Sequence, residues 1–124
     1  MIDESVFQSI YNELAQYLFS GWEKLVVYLE YGEASYTFAF YEKVKGTFVK
    51  CFDLPGVPED KLMESFSRID KVVGAKRGEN SQENWTNMTM VVTPDGHMRT
   101  EFDYTDLATG TYQFRKEWKR KFLV

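Results

Sequence analysis

Residue types that often carry catalysis are scarce in this chain. Its 124 residues include one histidine, His97, and one cysteine, Cys51, 46 positions apart. A metal site needs several converging His, Cys, Asp or Glu ligands, and a nucleophilic pair would need Cys51 and His97 adjacent in space, which the sequence leaves open. We interpret His97 as a solvated residue after a turn and Cys51 as a small apolar residue of a strand. We therefore expect no enzyme, no metal and no cofactor.

One pattern imitates a metal-dependent nuclease. Pro94-Asp95 is followed by Glu117-Trp118-Lys119, which matches the loose form PD…ExK. That chemistry needs both carboxylates and the lysine around one metal ion. Asp95 falls in a predicted tight turn and Glu117 in a helical pattern. We therefore interpret the match as chance.

The elements that would position these residues begin with a helix and a three-stranded meander. Apolar residues at three- and four-residue spacing predict a helix that ends at Ser20-Gly21; they are Phe7, Ile10, Tyr11, Leu14 and Leu18. Period-two segments then predict strands around residues 25–30, 35–41 and 47–52, with turns at Gly32-Glu33 and Lys45-Gly46. Both faces of the first strand are largely apolar.

The second half predicts a helix, a hairpin and a closing helix. Pro58 and Glu59 open a helix whose buried face is Leu62, Phe66, Ile69 and Val73, with Gly74 as a candidate C-cap and 75–83 as a loop. Two strands flank the turn 93–96, and residues 112–123 form the last helix, with Phe114, Trp118 and Phe122 at four-residue spacing. The predicted fold is a single α+β domain over 1–124, an antiparallel sheet with flanking helices in the order α-β-β-β-α-β-β-α.

Charge is distributed in blocks. The net charge is −4, but residues 1–42 carry −6, 43–78 carry +3, 79–106 carry −5 and 107–124 carry +4. The acidic total disfavours nucleic acid as a direct partner, and the acidic blocks would attract a basic protein. The basic run 115–121 does not require a nucleic-acid or membrane partner, because basic residues near the C-terminus of a helix interact favourably with the negative end of its dipole. With no signal-peptide pattern and no apolar run long enough to span a bilayer, we expect a cytoplasmic protein without a membrane partner.

The last third carries motifs in a recognisable order. Asn84-Trp85-Thr86-Asn87-Met88-Thr89 precedes Asp95-Gly96-His97-Met98, then residues 101–107 (EFDYTDL) and 118–123 (WKRKFL). This sequence resembles the YezG family of antitoxin or immunity proteins of Gram-positive bacteria, and the similarity extends to the first helix and the first two strands. In place of the tyrosine found in many members, the closing helix has Arg120 and Phe122.

The resemblance implies a protein that binds a cognate toxin. Members neutralise the nuclease domain of a secreted toxin, often an LXG-type toxin exported by a type VII system, inside the producing cell. An acidic inhibitor suits a nuclease because a phosphate-binding active site is basic. We expect the contact surface in the second acidic block, at Glu79, Glu83, Asp95, Glu101, Asp103 and Asp106. The aromatic residues Trp85, Phe102, Tyr104 and Trp118 are expected in the core instead.

A second class of function stays open beside this one. A small-ligand-binding or scaffold domain would use an aromatic pocket made by Tyr28, Tyr36 and Phe38. A deep apolar pocket with converging polar groups would favour that alternative, whereas a solid core with an acidic face would favour the inhibitor. The sequence does not give the oligomeric state.

Overall fold

The computed structural model describes residues 3–32, 35–79, 85–108 and 110–124. Within these ranges the helices are α1 (Glu4–Leu14), α2 (Glu59–Glu79) and α3 (Thr111–Phe122). The strands are β1 (Trp22–Tyr31), β2 (Tyr36–Val44), β3 (Thr47–Lys50), β4 (Asn87–Val92) and β5 (Met98–Asp103). They form one five-stranded antiparallel sheet in the order β3-β2-β1-β4-β5. The predicted α+β class and the predicted element order are confirmed.

The central strand β1 is buried on both faces, as its apolar composition predicts. Residues 25–29 are all buried. On one face α1 and α2 cover the sheet, with Phe7 against Phe102 and Phe66 against Phe40. On the other face α3 lies across the sheet. None of the helices in the described ranges is both long enough and apolar enough to cross a membrane.

The first helix ends earlier than the sequence predicts. Asp3 caps its start by accepting the Ser5 amide at 3.0 Å, and Ile10 and Leu14 of the predicted stripe are buried. After Leu14 the chain tightens into a short 3-10 turn over Ala15–Tyr17. This turn carries Tyr17 into the core, where its hydroxyl lies 2.6 Å from that of Ser65 on α2.

The second helix is longer than predicted. Leu62, Phe66, Ile69 and Val73 are buried, as expected. The predictions that Gly74 caps the helix and that a loop starts at 75 are wrong, because α2 continues to Glu79; residues 80–83 lie outside the described residues. A Cβ at Gly74 would lie 3.1 Å from Asp70 Oδ1, the atom that accepts the Tyr31 hydroxyl at 2.8 Å. Gly74 therefore leaves room for a contact between helix and sheet.

The last turn of α2 is attached to the sheet by an arginine. Arg77 donates to the carbonyl of Trp85 at 2.9 and 2.6 Å. Its guanidinium lies 5.0 Å from the ring centre of Tyr31 and 5.1 Å from that of Trp85. These tertiary contacts extend the helix beyond the point at which local sequence signals favour its end.

The third strand is shorter than predicted. It ends at Lys50, and Cys51–Asp53 form a 3-10 turn, so the placement of Cys51 inside a strand is wrong. Cys51 is nevertheless fully buried, and this burial raises the pKa of its thiol. The residue therefore packs as a small apolar side chain.

Candidate functional site

The helix α3 is held on the sheet by an aromatic stripe. Phe114, Trp118 and Phe122 recur every four residues, and Trp118 and Phe122 are buried. The Trp118 ring packs against Tyr28 and Tyr41 at centroid distances of 4.8 and 5.6 Å. Burial on this single face fixes the helix across the sheet and leaves its other faces exposed.

A cleft of about 200 Å³ lies between α3 and the β4-β5 hairpin. Its sheet side includes Asn87, Thr89, Glu101 and Asp103, and its helix side includes Phe114, Glu117, Trp118, Lys121 and Phe122. Period two in β4 and β5 directs the polar members of these strands toward α3. The cleft therefore combines an aromatic base with carboxylates from two separate elements.

Two of the predicted contact residues line this cleft together. Glu101 accepts Lys121 Nζ at 3.3 Å, and Asp103 accepts the Thr105 amide at 2.8 Å. Burial opposes ionisation of Asp103, but hydrogen bonds from Thr105 and Asn87 and the nearby Lys121 bring its pKa below the usual value. Asp103 therefore remains an anion at neutral pH.

The other predicted contact residues lie at different distances from the cleft. Asp106 is exposed in the segment after β5, where it accepts the Ala108 amide at 2.9 Å. Asp95 lies in the hairpin turn at the opposite end of β5, which spans about 17 Å at ~3.3 Å per residue. Glu79 is the last residue of α2, and Glu83 lies outside the described residues. The fold thus brings Glu101 and Asp103 to one cleft, whereas Asp106 lines a separate cavity with Arg77 and Arg115, and Asp95 lies apart from both.

The sheet face that carries the cleft holds many bases as well. Strand register places Lys24, Lys43 and Lys50 on the same face as α3, and Lys116, Lys119 and Arg120 are exposed on the helix. Arg115 pairs with Glu30 on β1 at 2.6 Å. The acids are therefore concentrated in the cleft and do not extend over the whole face.

The residues considered for catalysis stay separate. His97 follows the hairpin turn with its side chain 89% exposed, whereas Cys51 is fully buried after β3. Asp95 accepts the Thr93 hydroxyl and the His97 amide within the turn; these bonds lower its pKa. In the described part of the chain, no group of three or more His, Cys, Asp or Glu side chains could hold a metal ion.

The aromatic residues of the predicted ligand pocket do not converge. Tyr28 packs against Trp118 beneath α3, whereas Phe38 packs against Phe66 of α2 on the opposite face. Tyr36 stacks on Phe38 with 4.4 Å between ring centres. Because neighbouring strand positions point to opposite faces, these three residues cannot line one pocket.

The prediction that four aromatics lie in the core is right for two of them. Trp85 and Trp118 are buried, but Phe102 is 36% exposed and Tyr104 is 63% exposed. Phe102 packs partly on Phe7 and Trp85 at the edge of the sheet. Tyr104 lies just after the end of β5.

Four polar residues of the cleft were not expected from the sequence: Asn87, Thr89, Glu117 and Lys121. Asn87 is 2% exposed although it alternates with the apolar Met88. In β4, Asn87 and Thr89 alternate with methionines, which indicates that one face of the strand is polar. In α3, Glu117 lies four residues before Lys121, so the two side chains lie on the same side of the helix. Neither signal shows that α3 packs against β5.

Comparison with known proteins gives consistent matches. The family described as "Immunity protein YezG-like" matches residues 4–123. A relative from Bacillus spizizenii, named "Immunity protein YezG", is 26% identical over 114 residues, which cover 82% of this chain and 68% of the relative. The family match spans every helix and strand of the structure, including both sides of the cleft. This chain therefore belongs to the YezG-like immunity protein family.

Proposed function

We propose that this protein binds and neutralises a nuclease toxin inside the cell that produces it. The contact surface is formed by the acidic residues of the second acidic block: Glu79, Glu83, Asp95, Glu101, Asp103 and Asp106. The protein acts in the cytoplasm by binding alone, without catalysis, and its partner is the toxic domain of a secreted LXG-type protein of a type VII system.

The observation that carries this proposal is the acidic cleft in a member of an immunity protein family. A nuclease must bind phosphates, so its active-site region carries Lys and Arg side chains. Glu101 and Asp103 offer carboxylates from strand β5, and Glu117 adds a third from α3. Opposite charges on two surfaces increase the rate of encounter and select the partner.

The function is tested by co-expression with the nuclease domain of the toxin encoded beside this gene. We expect the two proteins to co-purify, and we expect excess immunity protein to stop DNA or RNA cleavage by the purified domain. An unrelated nuclease with a similar basic surface serves as the control and should stay active. The proposal is refuted if the toxin domain still cleaves DNA or RNA at an unchanged rate with excess immunity protein.

The acidic surface is tested by charge reversal. We expect Glu101→Lys with Asp103→Lys to weaken toxin binding by about tenfold or more, equivalent to ~1.4 kcal/mol, because two attractive contacts become repulsive. The matched control is Glu64→Lys, an exposed acid on α2 in the opposite layer. Asp103→Asn keeps an oxygen for the Thr105 amide, so it separates the loss of charge from disruption of the turn. If all these variants bind the toxin with the affinity of the wild type, this surface is not the contact surface.

A further inference from the structure

We propose that the cleft between β5 and α3 accepts an arginine side chain of the protein partner. This inference rests on the proposed function only for the identity of that partner. The site combines three features: an excess of negative charge, a side-chain carbonyl oxygen that can accept a further hydrogen bond, and an aromatic base.

Charge is unbalanced in the cleft. Its lining includes three carboxylates, from Glu101, Asp103 and Glu117, and one cation, Lys121. Lys121 pairs with Glu101, and Arg99, outside the lining, lies 3.8 Å from the same carboxylate. Glu117 accepts only the Gln113 side-chain amide at 3.1 Å within the described residues. The formal charge of the lining is −2, or −1 with Arg99 included, so the cleft still favours a further cation.

Asn87 supplies an unused acceptor at the same place. The residue is 98% buried, since its exposed fraction is 2%, and its side chain lines the cleft. Its amide nitrogen makes long contacts of 3.3 Å to Thr86 and 3.5 Å to Asp103, and its carbonyl oxygen accepts no hydrogen bond from the residues that the structure describes. This oxygen is not one of the fully enclosed unpaired atoms of the described residues, which are Glu42 Oε2 and Trp85 Nε1. It can therefore accept a hydrogen bond from a donor that enters the cleft.

The aromatic base selects a planar cation. Phe114, Trp118 and Phe122 line the helix side, and Lys121 already shows that a cation fits there, with its ammonium 5.0 Å from the Phe122 ring centre. A guanidinium stacks on aromatic rings and spreads five donors over several acceptors, which an ammonium does less well. A volume of about 200 Å³ suits one side chain and is small for a drug-sized ligand.

The inference is tested on the purified protein with Nα-acetyl-arginine amide as the probe. The indole N–H of Trp118 donates to Thr89 at 2.8 Å beside the cleft, so its NMR resonance reports occupancy. We expect a saturable shift of this resonance with the arginine probe, a weaker effect with Nα-acetyl-lysine amide, and none with the neutral citrulline analogue. No saturable shift with arginine, or an equal shift with citrulline, would overturn the proposal.

Two variants change the affinity of the cleft in opposite directions. Glu117→Gln removes one carboxylate and should weaken binding of the arginine probe by about threefold, as for an exposed ion pair. Lys121→Met removes the internal cation and should strengthen binding by about threefold. Glu64→Gln on α2 is the control and should change nothing. If all three variants bind the probe equally, or if Glu64→Gln weakens binding as much as Glu117→Gln, the cleft is not the site.

The probe experiment and the toxin experiment fail independently. Inhibition of the toxin nuclease with no arginine binding at Trp118 would leave the proposed function standing and refute the arginine site. Arginine binding without toxin inhibition would refute the proposed function and leave the site in place. With both positive, Lys121→Met should also bind the toxin domain more tightly than the wild type, and unchanged or weaker binding would refute the assignment of toxin arginine to this cleft.

Discussion

One buried hydrogen bond joins α3 to the sheet, and its removal has a calculable cost. Trp118 Nε1 donates to Thr89 Oγ1 at 2.8 Å, and the two residues are 7% and 3% exposed. Thr89→Val keeps the shape of the side chain but removes the acceptor, so the indole N–H stays buried without a partner. We expect this change to lower the free energy of unfolding by about 1–3 kcal/mol.

The same bond can be isolated by a double-mutant cycle. Trp118→Phe removes the donor together with part of the ring that contacts Tyr28 and Tyr41, so it destabilises the protein by itself. In the double variant no unpaired indole N–H remains, so its loss of stability should be smaller than the sum of the single losses. We expect a coupling free energy of about 1 kcal/mol between the two positions.

The free energy of unfolding is measured by urea denaturation, followed by far-UV circular dichroism, for the wild type, the two single variants and the double variant. The slope of free energy against urea should stay constant, because none of these changes alters the surface exposed on unfolding by much. Thr100→Val is the matched control, since the Thr100 hydroxyl on β5 makes no hydrogen bond within the described residues. The hydrogen bond does not stabilise the docking of α3 if the losses of stability from Thr89→Val and Trp118→Phe add up within error in the double variant. The same conclusion holds if Thr100→Val and Trp118→Phe show an equal coupling free energy.

Two further predictions concern carboxylates on the α1 and α2 side of the sheet. Glu42 is fully buried and only its Oε1 is paired, with the Phe19 amide at 2.6 Å; burial raises its pKa above the usual 4.5. The free energy of unfolding should therefore fall as the pH rises above about 4.5 in the wild type and less in Glu42→Gln, and parallel pH profiles would contradict this. Glu13 accepts two hydrogen bonds from Arg68 at 2.8 and 2.9 Å, and these lower its pKa. Glu13→Gln should cost about 1 kcal/mol at neutral pH, a deficit that shrinks below pH ~4.5 as the wild-type carboxylate is protonated; a constant deficit from pH 7 to 3 in the same urea assay would count against the ion pair.

The elements that sequence predicted well are those whose patterns depend on burial alone. The run of apolar residues over 25–29 predicts a strand buried on both faces, and β1 lies at the centre of the sheet. The four-residue spacing from Leu62 to Val73 predicts a helix face, and these residues are buried. Hydrophobic periodicity indicates which side of an element faces the core, so it can be interpreted without knowing which elements pack beside it.

The errors occur where a distant residue overrides a local signal. Gly74 is a common helix terminator in isolation, but Asp70 and Tyr31 occupy the space beside it and Arg77 holds the next turn against Trp85. In the same way, Asn87 and Glu117 are 30 positions apart in sequence, and only the packing of α3 brings them to one cleft. Individual acids such as Glu101 could be proposed from sequence, but not their common site.

Folding also changes the meaning of the charge blocks. In sequence the block 79–106 carries −5 and the block 107–124 carries +4, which suggests a long-range acidic field. In the structure these two blocks lie against each other, and Lys121 pairs with Glu101. The basic block also pairs with the first acidic block, residues 1–42, through Arg115 and Glu30. Opposite charges this close largely offset each other at a distance, and physiological salt screens the remaining field beyond about 8 Å. Asp103 and Glu117 have no ion-pair partner within the described residues, so in addition to the attraction between opposite charges, a donor that fits the cleft contributes to the choice of partner.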